Sequence, residues 1–569
     1  MLISRKAYSF APLFTCRRSV HSSINRRSLS ATFKMSHKEQ PHESQLEKRA
    51  VVSSFIFKFP KGPSERPVVA LFKRSDKVRT YSHHLAPISG SISRSDKFPL
   101  EAAWRELAEE TSLDQSSLIH WRTGKPFTFG DRSVNREWTV HPFAFKLKDP
   151  SEGGKGEGAI KIDWEHEGWE WYDPQSVLDR EDLEIVPRLK DSLRRVWFEG
   201  ELSERAAKTL SLGLERLRSD HESGAQELTA IALVAFRDFI VQTQDEINSE
   251  EWWKTVRMAA WHIIKNGRES MGASTMNALI AVLDEIKDIL VDEQTNPQHT
   301  LERVLNVLDH HLKCRKSRQT QVKDAFANYI RFKFLHHGEA LDKLTILTVS
   351  ASSTIRDSIL EAYASLDIRK LELRILESRP LFEGTSIGSS IVSNFKSRFL
   401  DTPGKELKVK IYTDASAALA AADVDLLLLG ADRISSTKGV SNKTGSLPAV
   451  LCTKHVSPNA QIAVLSDLEK INCVGSMIDD DHHEDNDPME VISAWRNDGV
   501  KAVRVLEDGM KEADAEGSST VEVKNTYFEW VPLYMVDAFV SEEGVMDESR
   551  IRERSKQLGE TVNRFFEDL

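Results

Sequence analysis

The second half of the chain alternates short apolar runs with helical stretches, and this pattern restricts its fold more than any other feature. From about residue 343 the runs are "LTILTVS", "LELRILES", "VKIYT", "VDLLLLGAD" and "QIAVLSD". Strands that are apolar throughout are buried on both faces, and they alternate with helices when the sheet is parallel. The pattern therefore predicts a doubly wound parallel α/β domain over residues 341–569.

Two other folded regions are expected upstream, because 569 residues are too many for one core. In "AQELTAIALVAFRDFIVQ" and "TMNALIAVLDEIKDILVD" apolar residues recur at three- and four-residue steps, which predicts an α-helical cap over 205–340. Before it, "VVSSFIFKF" and "PVVALFKR" predict strands, and a helix and further strands follow. Residues 48–200 are therefore predicted to form an α+β domain.

Residues 1–47 form a leader of different composition. No Asp or Glu precedes Glu39, whereas arginine, lysine and serine are frequent. Such a segment is typical of a mitochondrial transit peptide, so we expect a disordered leader and a location in the mitochondrial matrix. Translation from Met35 would instead give a cytoplasmic protein.

The overall composition excludes two classes of partner. No apolar run approaches the ~20 residues that cross a bilayer, so no membrane segment is expected. The formal charge of −10 argues against a protein whose main partner is a nucleic acid. The four cysteines form no Cys-x-x-Cys pair, and no histidine spacing completes a zinc site.

A cluster of carboxylates on one predicted helix indicates a metal site. Glu106, Glu109 and Glu110 lie at positions i, i+3 and i+4, so they project from the same face. Carboxylates this close repel one another unless a cation lies among them, and Mg²⁺ or Mn²⁺ suits such ligands when substrate phosphates complete the shell. This chemistry fits attack of water on a pyrophosphate. The alternative is a solvated acidic face with an Arg105–Glu109 ion pair.

The same stretch resembles the Nudix box, whose core is Arg-Glu-apolar-x-Glu-Glu. The core reads "RELAEE" here, after "SGSIS" and "PLEAAW", and "DWEHEGWEWYDPQSV" resembles the strand and turn that usually follow. The resemblance covers residues 48–200 and implies a Nudix sandwich that hydrolyses a nucleoside diphosphate derivative such as ADP-ribose. It implies that Glu106, Glu109 and Glu110 bind Mg²⁺ or Mn²⁺ and that Arg105 orients their carboxylates.

The box departs from the family at three positions. Gly90 matches the first loop glycine, but Ser91 and Ser112 replace the later glycines. Lys97 stands where the family has a glutamate that braces the box arginine. A degenerate, non-catalytic Nudix domain is therefore the alternative to a hydrolase.

A second group of polar residues follows a buried strand in "VDLLLLGADRISSTKGVSNKTGS". Ligands of open parallel sheets bind beyond the carboxyl ends of the strands, which favours Asp432 for acid–base work or for a sugar hydroxyl. Lys443 is placed to meet a phosphate, beside Asn442. A turn or helix N-cap role is the alternative for Asp432.

Several motifs in this half resemble the alpha, beta and delta regulatory subunits of the exchange factor for translation initiation factor 2. They are "SMGASTMNAL", "ILTVSASSTI", "LESRPLFEG", "GADRI…NKTGS" and "NTYFEWVPLYMVDAFVSEEGV", and the resemblance covers about residues 205–569. The superfamily includes ribose 1,5-bisphosphate and methylthioribose-1-phosphate isomerases. The resemblance implies a catalytic role for Asp432, ligand binding by Arg379, Asn442 and Lys443, and homo-oligomers formed through the C-terminal domain.

Ser350 stands where these isomerases have a catalytic cysteine. A hydroxyl does not exchange protons near neutral pH as a thiol of pKa ~8.5 does, so isomerisation is less favoured than binding of a sugar phosphate or nucleotide. The combined expectation is an α+β Nudix sandwich followed by an α-helical cap and a doubly wound parallel α/β domain. A non-catalytic regulatory or scaffold protein is the alternative.

Overall fold

The structure is a computed structural model that describes residues 46–60, 66–220, 223–268, 272–291, 296–335, 340–399, 402–473, 486–511 and 520–569. Residues 1–45 of the leader lie outside these ranges, so its disorder and its targeting role stay predictions. So do the domain boundaries at 48–200, 205–340 and 341–569. In the described ranges no helix is both long enough and apolar enough to span a bilayer.

The N-terminal region consists of one mixed sheet with helices on both faces. Its elements are β1 Glu47–Lys58, β2 Val68–Arg74, β3 Leu85–Ala86, α1 Pro99–Thr111, β4 Leu118–Thr123, β5 Phe127–Asp131, β6 Arg136–Leu147, β7 His166–Tyr172, α2 Pro174–Asp179 and α3 Leu189–Val196. The strand order is β3-β2-β1-β6-β4, while β5 also pairs with β6 and β7 with β2. Among the pairs formed between these described strands, β1 and β6 are parallel and the others are antiparallel.

The two faces of this sheet are covered by different helices because side chains alternate along a strand. Ile56 packs with Leu107 of α1, whereas Phe55 and Phe57 pack with Leu193 of α3. Helix α1 begins with a proline in its first turn and ends at Ser112, whose φ of 56° lies in the left-handed region. The family's late glycine would adopt this conformation without strain, and the serine adopts it here.

The central region is helical, as predicted. Its helices are α4 Glu204–Ser219, α5 Ala225–Gln242, α6 Glu250–Asn266, α7 Gly272–Val291 and α8 Pro297–Phe334. Their core includes Phe236, Trp252 and Leu279. Helix α8 joins two cores, because Leu308 belongs to this helical core and Phe326 packs into the next region.

The C-terminal region is an α/β domain. Its elements are β8 Leu341–Val349, α9 Ser353–Ser365, β9 Ile368–Leu376, α10 Glu383–Phe399, β10 Glu406–Tyr412, α11 Ala417–Ala421, β11 Leu426–Leu429, β12 Arg433–Ser435, β13 Gly439–Lys443, α12 Ser446–Val456, β14 Gln461–Leu465, α13 Pro488–Asn497, α14 Val503–Lys511, β15 Phe528–Val531, β16 Ala538–Ser541, β17 Gly544–Met546 and α15 Glu548–Phe566. The main sheet has the order β10-β9-β8-β11-β14-β16-β17.

The predicted parallel sheet with helices on both faces is confirmed for its first six strands. Ile359 of α9 and Ile391 of α10 pack on one face, and Ala420 of α11 and Val450 of α12 on the other. Two details correct the prediction of a purely parallel domain. The edge strand β17 pairs antiparallel with β16, and β12, β13 and β15 form a separate antiparallel sheet. Two residues connect β16 to β17. Strands joined by so short a turn can pair only in the antiparallel direction.

The N-terminal sheet ends against the helical region. Its last strand, β4, pairs with β6 on one side only. On the other side, Asn266 of α6 accepts a hydrogen bond from the Thr123 amide at 2.7 Å and donates one to the Thr123 carbonyl at 2.9 Å. Arg218 of α4 donates to the carbonyls of Trp121 and His120, both at 2.8 Å. Side chains of the helices therefore satisfy this open strand edge.

Candidate functional site

Arg105 is held in place from the loop that precedes α1. Its Nε lies 3.1 Å and its Nη2 lies 2.9 Å from the two carboxylate oxygens of Asp96, and Nη2 also donates to the Ser91 carbonyl. The pairing holds the pKa of Asp96 well below its usual range. Lys97, the next residue, is exposed. The anion that was missing at position 97 is therefore supplied one residue earlier.

Glu106 lies tight against the glycine loop. A side-chain carbon added to Gly90 would fall 1.8 Å from the Glu106 carboxyl carbon, so only glycine leaves room for this carboxylate. Arg105 Nη1 donates to Glu106 at 2.7 Å and to the exposed Glu109 at 3.3 Å. The pKa of Glu106 is raised overall, mainly by burial. The Arg105 guanidinium opposes this shift, and the charge of Glu109 adds to it.

Glu110 is buried and bonded to a histidine from another strand. Its Oε2 lies 2.6 Å from Nε2 of His166, at the start of β7. Burial raises the pKa of Glu110 to about 9, with further contributions from Glu165 and Glu106. Burial also lowers the pKa of His166 to about 4. The carboxyl therefore keeps the proton of this pair at neutral pH and donates it toward the imidazole.

Three charged residues outside the box lie beside it, and sequence reasoning did not identify them. The turn before β7 carries Asp163 and Glu165, and the Asp163 amide donates to the Glu110 carbonyl at 3.1 Å. Burial raises the pKa of Glu165, and so do the charges of Asp163, Glu106 and Glu109. Arg74, at the end of β2, lowers the pKa of both Glu165 and Glu110. The hydrogen bond from Asp163 and the contact of His166 with Glu110 place this turn against the box helix.

The metal ligation predicted for Glu106, Glu109 and Glu110 stays a prediction. Within the described ranges, no three His, Cys, Asp or Glu side chains are arranged to hold a metal ion. The physical reason lies in their present partners. An Arg105 nitrogen contacts both Glu106 and Glu109, while Glu110 is engaged with His166.

The second group of residues surrounds the carboxyl ends of β8 and β11. Asp432 follows β11, and its backbone amide donates to the Ser441 carbonyl at 2.9 Å. Burial raises the pKa of its carboxyl, while the positive charges of Lys470 and Lys443 lower it. Asn442 is buried and donates to Ser446 Oγ at 2.8 Å.

Glu383, at the start of α10, links two of these positions. Its carboxylate accepts a hydrogen bond from Ser350 Oγ at 3.0 Å and pairs with Lys443 Nζ at 3.0 Å. The Lys443 ammonium lies 4.5 Å from the ring centre of Tyr527. Sequence reasoning did not identify Glu383, although it occurs in the quoted "LESRPLFEG". The predicted phosphate ligand Lys443 is thus already neutralised by a carboxylate.

Arg379 lies in the same cleft but points to other partners. The cleft is lined by Ser378, Arg379, Pro380, Leu381, Glu383, Lys443, Thr444 and Tyr527. Arg379 donates to Glu377 at 2.9 Å and to Asp498 at 3.0 Å. The structure therefore brings Ser350 and Lys443 together around Glu383 and bonds Asp432 to Ser441 on the strand that carries Lys443, whereas Arg379 lines the wall of the cleft.

Comparison with known families matches residues 221–548 to the "Initiation factor 2 subunit family", which is more than half of the chain. The chain belongs to this family. Residues 49–195 match the "NUDIX domain". Both resemblances inferred from the sequence are therefore confirmed, and a member of the initiation factor 2 subunit family is here fused to a Nudix domain.

Solved structures similar to this family member include three with low sequence identity. Translation initiation factor eIF-2B of Pyrococcus horikoshii OT3 is 18% identical, with a TM-score of 0.39 over 61% of this chain and 99% of that one. The eIF2B-beta2-delta2 complex of C. thermophilum is 11% identical, with a TM-score of 0.40 over 67% of this chain and 96% of that one. 5-Methylthioribose 1-phosphate isomerase of P. horikoshii OT3 is 15% identical, with a TM-score of 0.36 over 63% of this chain and 88% of that one. A search of the curated proteins found no match.

Proposed function

We propose that the N-terminal region is an Mg²⁺-dependent Nudix hydrolase that cleaves the pyrophosphate of a nucleoside diphosphate derivative such as ADP-ribose. The observation that carries the proposal is the contact between the box helix and the turn before β7. His166 Nε2 lies 2.6 Å from the Glu110 carboxylate, the Asp163 amide donates to the Glu110 carbonyl at 3.1 Å, and Glu165 lies between Asp163 and His166 in the chain. Asp96 supports it further, because it supplies the brace for Arg105 that the sequence comparison had found missing.

The chemistry of the donor set fits a hard divalent cation. Five carboxylates, those of Glu106, Glu109, Glu110, Asp163 and Glu165, interact here, and all of their candidate ligand atoms are oxygens. Burial and, after it, the charges of neighbouring carboxylates raise the pKa of Glu106, Glu110 and Glu165, and an ion with two positive charges would offset this repulsion. The space that Gly90 leaves for Glu106 keeps one of these carboxylates at the loop.

In this proposal Glu106, Glu109, Glu110 and Glu165 hold the cation, with Mn²⁺ as a substitute for Mg²⁺. When bound, the ion would polarise phosphoryl oxygens and acidify a water molecule. Arg105 orients the box carboxylates from its pairing with Asp96. His166 fixes the direction of the Glu110 carboxyl, and Arg74 provides positive charge on the same side for a diphosphate.

The test is a screen of the purified chain with Mg²⁺ against nucleoside diphosphate compounds, with products identified by mass. Glu110→Gln is the informative variant, because a glutamine amide can still donate to His166 but cannot lose a proton to become an anionic metal ligand. Glu101→Gln, on the same helix, is the control, since glutamine still accepts the Lys97 amide. We expect turnover by the wild type and the control but not by Glu110→Gln.

Two results would contradict this proposal. Turnover that persists in Glu110→Gln would show that the box is not the active site. No turnover of any compound by the wild type would favour the alternative, a degenerate Nudix domain in a regulatory or scaffold protein.

For the C-terminal region we propose binding of a sugar phosphate or nucleotide in the cleft beside Lys443. Support comes from the ammonium of Lys443, held over Tyr527, and from the half-buried Asp432, whose amide donates to Ser441 on the strand that carries Lys443. Isomerisation is the weaker proposal, because Ser350 has a hydroxyl, which donates a hydrogen bond to Glu383, in place of a thiol. Ribose 5-phosphate should raise the melting temperature of the wild type but not of Lys443→Ala. Lys454→Ala, on α12, is the control.

Two expectations about context stay proposals. We propose that the chain forms homo-oligomers through its C-terminal region, which sedimentation velocity can test. We also propose that residues 1–34 direct it to the mitochondrial matrix. A fluorescent fusion that begins at Met35 should then stay in the cytoplasm, whereas the full-length fusion should not.

A further inference from the structure

An exposed tryptophan stands in the middle of the charged turn that leads into β7. The side chain of Trp164 is 57% exposed, between Asp163 and Glu165. The Asp163 amide donates to the Glu110 carbonyl at 3.1 Å and His166, which follows Glu165, contacts the Glu110 carboxylate, so this turn lies against the box helix. An indole in this position is next to the proposed hydrolytic site without being part of its ligand set.

The backbone beneath this indole is fixed from several directions. Ser75 Oγ donates to the Trp164 carbonyl at 2.9 Å, and the Ser75 amide donates to the Glu165 carbonyl at 2.8 Å. On the other side, the Asp163 amide donates to the Glu110 carbonyl, and the Glu165 amide donates to Asp163 Oδ1 at 2.9 Å. The turn is thereby tied to both β2 and α1, so the indole is presented from a rigid base.

The surroundings favour a small charged ligand over a protein partner. A protein interface needs a contiguous apolar patch, whereas the chain neighbours of Trp164 are both carboxylates. A nucleotide combines a flat aromatic base with phosphates, and the positive charge of Arg74 lies beside the same carboxylates. Stacking on a rigid aromatic ring suits any nucleobase because every base presents a π-face.

We propose that the indole of Trp164 is the stacking surface for the nucleobase of the Nudix substrate. This inference rests on the proposed hydrolase function and adds the residue that recognises the base. Stacking of this kind strengthens binding by roughly 5- to 150-fold. It discriminates nucleoside diphosphate derivatives from pyrophosphate compounds without a base.

The first test locates the base without requiring turnover. The full chain is labelled with 5-fluorotryptophan, and the ¹⁹F resonance of Trp164 is assigned by its loss in Trp164→Phe. In the presence of Mg²⁺, AMP should shift this resonance and ribose 5-phosphate, which lacks only the base, should not. A resonance that AMP leaves in place, or that both ligands shift equally, would overturn the proposal.

The second test uses kinetics with ADP-ribose. Trp164→Ala should raise KM at least 5-fold with kcat nearly unchanged, and Trp164→Phe should restore most of the affinity. Tyr534→Ala is the matched control, since Tyr534 is also an exposed aromatic, at 72%, but belongs to the C-terminal region. An unchanged KM in Trp164→Ala would overturn the proposal. Because the fluorine measurement is independent of hydrolysis, failure of stacking and failure of the proposed activity are distinguishable.

Discussion

Asp96 and Arg105 form a two-bond ion pair across the loop before α1, with distances of 3.1 and 2.9 Å. The Asp96 side chain is only 4% exposed, whereas that of Arg105 is 30% exposed. Such partners fix the direction of the groups that bind ligand, and their removal typically costs 10- to 100-fold in metal affinity or activity. The anion at position 96 therefore replaces the glutamate that the family has at position 97.

Asp96→Asn should lower the rate of the proposed hydrolysis about 10- to 100-fold, because a neutral amide cannot hold the guanidinium in two charge-assisted bonds. Initial rates with ADP-ribose and Mg²⁺ measure the effect. Lys97→Ala is the control and should leave the rate unchanged, since this side chain is exposed. Equal losses in both variants would mean that the loop as a whole, and not the ion pair, determines activity.

Glu383→Gln should strengthen the binding of ribose 5-phosphate. The substitution keeps a hydrogen-bond acceptor for Ser350 but removes the charge that now neutralises Lys443, so the ammonium becomes available to a phosphate. We expect about a 10-fold lower Kd by isothermal titration calorimetry. Glu361→Gln, which removes an exposed ion pair with Arg398, should have no effect. Weaker binding in Glu383→Gln would instead indicate that the carboxylate itself contacts the ligand.

Glu542→Gln should change the pH dependence of stability. Burial raises the pKa of Glu542 to about 7, with a further contribution from Asp467, whereas Arg318 lowers it. Because the folded-state pKa is above the unfolded value, the wild type loses stability as pH rises from about 4.5 to 7, by on the order of 2–3 kcal/mol.

The glutamine variant lacks this loss and still accepts the Leu468 amide. Its melting temperature should therefore match the wild type at pH 5 and exceed it by several degrees at pH 8. Differential scanning fluorimetry across this range measures the difference. Glu543→Gln, the neighbouring position with an exposed side chain, should follow the wild type at every pH. A parallel shift of the Glu542→Gln curve would contradict the proposed titration.

Asn266→Ala should loosen the contact between the N-terminal sheet and the helices. It leaves the amide and the carbonyl of Thr123 without their partner, at a cost of about 1–3 kcal/mol for each buried group. Amide hydrogen exchange of residues 118–125 should become faster. Asn394→Ala, which loses only bonds within its own helix, should not change exchange there.

The regular elements were predictable because each carries a local signal. The all-apolar runs predicted β8 to β11 and β14, and the three- and four-residue spacing predicted α5 and α7. The antiparallel sheet of β12, β13 and β15 was not predicted, because strands as short as Arg433–Ser435 are too brief to establish a period of two.

The site was predictable only where it lies on one helix. The spacing of Glu106, Glu109 and Glu110 placed them on one face, but their partners come from elsewhere in the chain. Glu165 and His166 reach the box only because β7 pairs with β2. Asp96 replaces the family's brace through the path of a loop, and a position-by-position comparison does not detect a shift of one residue.

The contact made by Asn266 and Arg218 has a consequence for how the two halves depend on each other. Strand β4 would present free amides and carbonyls if the chain were cut between the halves, and such an edge readily recruits a strand from another molecule. The N-terminal half expressed alone would then self-associate. The helical region thus covers a strand edge that separation of the two regions would open to strand addition.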